Sequence, residues 1–276
     1  MMKPRPLHHR CALAVRLLLA LLSISAGGCA LPPSGPPIDS TTYTSSAQNS
    51  RVQFLILHFT GENLADSLRI LTQQDVSAHY LVSDETPPRI YRLVDEGRRA
   101  WHAGDSRWGA FTMLNSSSIG IEIVNPGRVP QPDGSSAFAP FAPEQIDLVM
   151  ALVKDTTQRH QIRPDRVLAH SDIAPQRRLD PGPEFPWHRL AAAGLVAWPD
   201  AEQVRVAKVA HEAQLPAVAW FQATLARLGF AVPDHGRLDE PTRRVIAAFQ
   251  MKYRPIKYDG EPDAETAALL QVLSLR

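Results

Sequence analysis

The segment His170–Asp180 reads HSDIAPQRRLD and runs directly into PGPEFPW. It sets an imidazole at the exit of a strand-like stretch and a carboxylate ten residues further along a proline-broken loop, with Asp172, Arg177 and Arg178 between them. A loop this polar is poor core material, and a rigid site accounts for it better than packing does. A third candidate, His58, closes the apolar run VQFLIL far upstream. Two histidines and one carboxylate leave one position of a tetrahedral ion open to water, which is the donor set of a catalytic zinc centre. Each residue taken alone has a plainer alternative. Either histidine could be a hydrogen-bonded structural residue, and Asp180, ahead of Pro181 and Gly182, could organise a turn. Placement at strand ends, where side chains of neighbouring strands converge, favours taking the three together.

A hydrolytic site also needs a base beside the attacking water. Glu122 is the one charged residue within the apolar strand SIGIEIVN, and alternation directs it with Gly120 and Val124, away from Ile121 and Ile123. A carboxylate on a partly buried sheet has its pKa raised, which suits it to take a proton from water and return it to a leaving nitrogen. The alternative is an exposed residue on the polar face of the strand. His79, inside an apolar stretch, fits a structural or supporting role better than ligation, and Asn115 could orient substrate, a neighbouring loop or a simple turn. GxSxG and HExxH motifs are absent, which argues against a serine hydrolase elbow and a thermolysin-like metalloprotease.

The elements that must hold these groups alternate between strand-like and helical patterns. Residues 52–57 are too continuously apolar for a half-exposed strand and predict a central buried one. Leu64, Leu68 and Leu71 recur at helical spacing; short strand-like segments follow at 78–82, 90–94 and 119–124. Pro143 and Glu144 open an amphipathic helix with Ile146, Val149, Met150 and Val153 on its inner face, and residues 166–169 return as the strand that delivers His170. The pattern predicts an α/β domain over residues 51–198, a mixed β-sheet flanked by helices. Beyond Trp198 the character changes, and residues 199–276 predict a small three-helix domain with helices over 216–228, 241–253 and 263–273. The segments GRLDEPTRRVIAAF and GEPDAETAALL are faintly similar, each placing an aspartate just before a threonine-bearing helix.

At 276 residues and 44% apolar the chain is long enough for two cores. Its 29 lysines and arginines nearly balance 28 aspartates and glutamates, so no net field recommends nucleic acid as a partner. The opening carries Lys3, Arg5, Arg10 and Arg16, then LLLALLSIS, then Ala26, Gly27 and Gly28 before Cys29. The apolar run falls short of the roughly 20 residues a spanning helix needs, so residues 1–28 read as a secretory signal. The small residues ahead of Cys29 resemble a bacterial lipoprotein signal, which implies a lipidated Cys29 anchoring the mature chain to a membrane; Ala26 departs from the leucine usual at that position. An ordinary cleaved signal is the alternative. Ala30 in place of an aspartate implies the outer membrane, facing the periplasm. Cys11 would leave with the signal, so no disulfide is expected. Residues 29–50, rich in Pro, Ser and Thr, read as a tether of about 25 Å average span.

The segments ILHFTG, VSAHYLV, WHAGDSRW, NSSSIGIEIVN and VLAHSDIAPQRRLDPGPEFPW, in this order across residues 51–198, resemble the type-2 N-acetylmuramoyl-L-alanine amidases, and the tail resembles a peptidoglycan-binding domain. The resemblance implies Zn²⁺ held by His58, His170 and Asp180, with Glu122 as acid/base. It implies substrate contacts at Trp101 and His102 in WHAG, with Asn115 beside them. Arg178 stands where the family usually has lysine, and a planar guanidinium is not equivalent to a compact ammonium as an oxyanion partner; a surface arginine is the alternative. The implied reaction is hydrolysis of the amide between N-acetylmuramic acid, or its anhydro form, and L-alanine in peptidoglycan or muropeptides. Two rivals share most of these residues: a peptidoglycan-recognition protein of the same fold that binds without cutting, and a zinc peptidase acting inside the stem peptide.

Overall fold

The computed structural model describes residues 35–275, so the apolar opening and Cys29 lie outside the described residues. Two compact units divide the chain after Gln48. In the first, residues 35–48 are exposed and form no helix or strand; Asp39 accepts from the backbone N–H groups of Thr41 and Thr42. The second unit, from Asn49 onward, carries everything below.

A five-stranded sheet forms from β1 (Phe54–Phe59), β2 (Tyr80–Val82), β3 (Ile90–Arg92), β6 (Ser118–Ile123) and β9 (Val167–Ala169) in the order β3-β2-β6-β1-β9. Between β3 and β6 lie the short hairpin strands β4 (Arg107–Trp108) and β5 (Phe111–Thr112), and after β6 the hairpin β7 (Arg128–Pro130) and β8 (Ser136–Phe138). β1 runs parallel to both β6 and β9, β2 runs parallel to β6, and β3 closes one edge antiparallel. The mixed sheet expected from the sequence is present, with β1 at its heart.

Alternation along the strands divides the residues between two faces. Leu55, Leu57, Ile119, Ile121, Ile123, Val167 and Ala169 pack with Ile146, Val149, Leu152 and Val153 of helix α2 (Pro143–His160). Phe54, Ile56 and Leu168 look the other way, onto Ala103, Leu114 and Ile173. His58 continues the Phe54 and Ile56 series, so the face that carries chemistry is the one α2 does not cover. Helix α1 (Leu64–Gln73), capped by Asn63 accepting from Asp66 N–H, and a short helical turn α3 (His170–Ile173) flank that face; α4 (Trp187–Ala192) closes the domain.

The three helices expected in the tail are α6 (Val218–Leu228), α7 (Glu240–Tyr253) and α8 (Ala264–Leu273), around a core of Phe221, Leu225, Val245, Ile246, Phe249, Leu270 and Leu273. A fourth, α5 (Ala201–Ala213), precedes them and corrects the three-helix count. It rests on α8 through Val204 and Ala207 against Ala268 and Val272. Only Ala207 of α5 is buried while Val206 and Val209 face solvent, so the sequence carries no clean apolar stripe. The faint internal repeat is structural: Asp239 and Asp263 cap α7 and α8 by accepting from the N–H groups of Thr242 and Thr266. Buried Gln222 and Gln250 each donate to the threonine hydroxyl and accept from a glycine N–H, Gly236 and Gly260.

Candidate metal and catalytic centre

Parallel pairing sets His58 of β1 directly beside Glu122 of β6, and β1's other neighbour, β9, ends where His170 begins. The loop after α3 returns Asp180 to the same place, fixed by Ser171 N–H donating to the Asp180 carbonyl. His58 Nδ1, His170 Nδ1 and Asp180 Oδ2 stand 2.9, 3.0 and 3.0 Å from one another. All three side chains are buried.

Their outer hydrogen bonds decide the protonation of the two rings. Ser118 Oγ donates to the Leu114 carbonyl at 2.6 Å, so it accepts from His102 Nε2 at 3.1 Å. That leaves His102 Nδ1 as the acceptor for His58 Nε2–H, 3.0 Å away. His170 Nε2–H donates to the Ala103 carbonyl at 3.2 Å. Both Nδ1 atoms are then bare lone pairs. Burial first, and then the neighbouring His170, hold His58 down to about 4, so its ring is neutral near pH 7. Three acceptor atoms meeting without a proton between them call for a cation, and two imidazoles with one carboxylate suit zinc.

Glu122 stands beside this triad with Oε2 buried and without a hydrogen-bond partner among the described residues. Burial raises its pKa well above the usual carboxylate range, Asp180 pushes in the same direction, and Arg178 opposes them. Gly120, two residues earlier on the same face, makes room for His102: a Cβ there would lie 2.4 Å from His102 Cγ. The centre opens into a cleft of about 330 Å³ whose lining includes Phe59, Ile70, Trp101, Glu122 and Arg178.

The N-acetylmuramoyl-L-alanine amidase family matches residues 48–183, and a putative peptidoglycan binding domain matches residues 214–270. N-acetylmuramoyl-L-alanine amidase AmiD of Escherichia coli (strain K12) is 43% identical over 267 residues, covering 92% of this chain and 95% of the relative. The chain belongs to the N-acetylmuramoyl-L-alanine amidase family. The solved complex of E. coli AmiD with the substrate anhydro-N-acetylmuramic acid-L-Ala-D-gamma-Glu-L-Lys is similar at TM-score 0.76, covering 84% of this chain and 92% of that one. AmpDh3 from Pseudomonas aeruginosa is similar at TM-score 0.79 and 38% identity, covering 87% of this chain and 98% of that one.

Within this amidase fold the remaining expected residues separate by what their side chains touch. Trp101 is 50% exposed on the cleft wall, its backbone N–H held by Ser77 Oγ, and presents a free aromatic face. His102 borders the cleft, but both ring nitrogens are taken by His58 and Ser118, so it supports the triad instead of offering a polar contact to substrate. Asn115 is absent from the cleft lining; its Oδ1 accepts from the N–H groups of His102 and Ala103 and so shapes the loop behind His58. His79 Nδ1 accepts from Gly120 N–H and its Nε2 donates to the Arg98 carbonyl, a structural placement. The two adjacent arginines part company. Arg177 lies against Gly104 and donates to the carbonyls of Ala103 and Asp105, whereas the Arg178 side chain is exposed, lines the cleft and makes no hydrogen bond among the described residues.

Sequence reasoning did not find Ser118, whose hydroxyl sets the tautomers, or Lys252, which reaches Asp172 from α7. Ser118 was visible only as the last of three consecutive serines, where β6 begins. Lys252 lies in a helix whose pattern gave no reason to expect a buried charge.

Proposed function

We propose that this chain hydrolyses the amide joining the muramic acid lactyl carbonyl, in its intact or 1,6-anhydro form, to the L-alanine of the stem peptide, with Zn²⁺ held by His58, His170 and Asp180. The observation that carries this is the convergence of His58 Nδ1, His170 Nδ1 and Asp180 Oδ2 beside the unpartnered carboxylate oxygen of Glu122. The E. coli relative solved with an anhydro-muramyl peptide supports the substrate class. When bound, zinc supplies Lewis acidity that brings the pKa of water towards about 7. Glu122, whose raised pKa suits it to hold and release a proton, receives one from the attacking water and delivers it to the alanine nitrogen as that bond breaks. Arg178 faces the same cleft with an uncommitted guanidinium for the charge developing on the carbonyl oxygen. Trp101 offers its exposed face to the sugar or peptide. A recognition protein that binds without cutting has no use for a buried, unpaired carboxylate beside the triad, which favours the enzyme.

The test is product analysis of purified peptidoglycan and soluble muropeptides, with and without a chelator. Intact stem peptides beginning with L-alanine are expected; cuts inside the stem would replace the amidase with a peptidase. Glu122→Gln should keep the metal and lower turnover by about 10²–10⁴-fold, and retained full activity would remove Glu122 from the mechanism.

The α6–α8 bundle, matching a putative peptidoglycan binding domain, attaches the enzyme to the wall, and lipidated Cys29 with the tether of residues 29–50 holds it to the outer membrane facing the periplasm. Together they raise local substrate concentration without altering the chemical step. Replacing Cys29 with alanine should move the protein from the outer-membrane fraction to the soluble periplasm; continued membrane fractionation would exclude the lipid anchor.

A further inference from the structure

The segment that carries two of the three proposed metal ligands, His170 and Asp180, is held from outside its own domain. Lys252, near the end of α7, is 4% exposed, and its ammonium donates to Asp172 Oδ2 at 2.7 Å and to the Val167 carbonyl at 3.2 Å. It also sits 4.4 Å from the centroid of the Trp187 ring, so its N–H groups meet two oxygens and an aromatic face. Asp172 is 0% exposed, and the same Oδ2 accepts from Ala169 N–H at 2.9 Å, closing the turn in which His170 sits between them. Val167 opens β9 and Asp172 lies within α3, so one ammonium grips both sides of His170. The other end of α7 touches the same loop. Gln176 donates to the Pro241 carbonyl, and Arg244 donates to the Gln176 carbonyl. The twelve residues from Pro241 to Lys252 span about 16 Å of helix, laid as a splint along the loop that delivers His170, Arg178 and Asp180.

We propose that Lys252 is a positioning residue for the metal centre: from the C-terminal helical domain it neutralises Asp172 and fixes the turn that aims His170 Nδ1, making that domain part of the hydrolytic machinery as well as a wall anchor. This rests on the zinc site proposed above. A carboxylate buried this deeply is stable only with a cation beside it. Without Lys252 the turn loses the two bonds that tie the Val167 carbonyl and Asp172 Oδ2 to one ammonium, and Asp172 is freed to shift against Ala169 N–H. The turn that carries His170 is then held by fewer bonds, chiefly His170 Nε2–H to the Ala103 carbonyl and Ser171 N–H to the Asp180 carbonyl, so both ligands on this loop are aimed less firmly. Partners bonded to a ligand itself typically alter metal affinity by about 10–100-fold, and Lys252, which acts through Asp172, is expected at the lower end of that range.

The experiment uses the full folded chain. Lys252→Met keeps the length and apolar stem and removes the charge. Zinc affinity by chelator competition and the visible spectrum of the cobalt(II)-substituted protein are measured at 25 °C, well below the melting midpoint of each variant. Lys252→Met should raise the apparent zinc Kd by about 10-fold, the lower end for outer partners, and shift the cobalt spectrum, which reports ligand geometry and would not respond to lowered fold stability alone. Asp172→Asn, which keeps the lysine and an acceptor for Ala169 N–H, should move both readouts in the same direction by less, and it decides the matter alone if Lys252→Met does not fold. Wild-type affinity and an unshifted spectrum in whichever variants fold would overturn the positioning role. Failure of the wild-type chain to bind zinc at all would instead overturn the metal site itself.

Discussion

At the level of single residues, the centre is defined as much by where its protons are not as by its distances. The chain Ser118, His102, His58 passes each hydrogen bond outward, so the inner nitrogen of His58 is left bare. Ser118→Ala removes the acceptor for His102 Nε2–H and leaves a buried donor unsatisfied, at a cost of about 1–3 kcal/mol. His102 is then free to change tautomer, and a proton on its Nδ1 would face the one on His58 Nε2. Zinc affinity should fall by about 10–100-fold with the fold intact, measured by chelator competition; unchanged affinity would show that His58 needs no such support. The sequence exposed His58, His170 and Glu122 because reactive types sat at strand exits or alone in an apolar strand, and Asp180 because it closes the polar, proline-broken loop after His170. It could not divide Arg177 from Arg178, nor show that both ring nitrogens of His102 are taken by His58 and Ser118 and that Asn115 lies outside the cleft. Those assignments depend on which backbone groups a long side chain meets once the loops have folded, and spacing along a chain holds no record of that.

Among the elements, the parallel pairing of β1 with β6 does most of the positioning, and its register follows from burial. A slip of one residue would turn Leu55 and Leu57 away from α2 and His58 away from Glu122. This much was legible, because strands buried on both faces read as continuous apolar runs and α2 announces its start with Pro143. Helix α5 was not, since its burial is confined to Ala207. The sheet edge is fastened to α2 by Glu96, in the segment after β3, which accepts from Tyr80 OH at 2.7 Å, His160 Nε2 at 2.8 Å and the Arg159 guanidinium. Burial works against the Glu96 carboxylate, yet Arg159, Tyr80 and His160 outweigh it and hold its pKa at about 2. A depressed carboxylate stabilises the fold fully above its ordinary value of 4.5, and that contribution drains away as pH falls from 4.5 towards 2. Glu96→Gln should therefore be less stable than wild type at pH 7, with the gap narrowing across that window. Urea midpoints at pH 7, 4 and 2.5 measure it, and a gap independent of pH would mean the charge on Glu96 contributes nothing.

Across the whole molecule, composition and the break after Trp198 suggest a catalytic domain with a detachable wall-binding module, and the packing argues otherwise. Trp108 of the hairpin lies 4.8 Å from the Phe230 ring and fills the space above Gly229, where a Cβ would lie 2.5 Å from its indole; Trp198 meets Tyr253 at 5.1 Å. The buried Lys252–Asp172 pair crosses the same junction. Removing one partner of such a pair costs about 3–5 kcal/mol, comparable to the whole stability of about 5–15 kcal/mol of a typical domain. A chain ending after Trp198 would take Lys252 away from Asp172 and uncover the apolar faces of Trp108 and Trp198. It should melt well below the full chain, bind zinc more weakly, and lose activity on soluble muropeptides as well as on intact wall. A separable module predicts a different pattern, in which activity on soluble fragments survives and only attachment to insoluble peptidoglycan is lost. Parallel assays on the two substrates, with melting curves of both chains, distinguish the two architectures, and survival of soluble activity at full-length stability would defeat the integrated one.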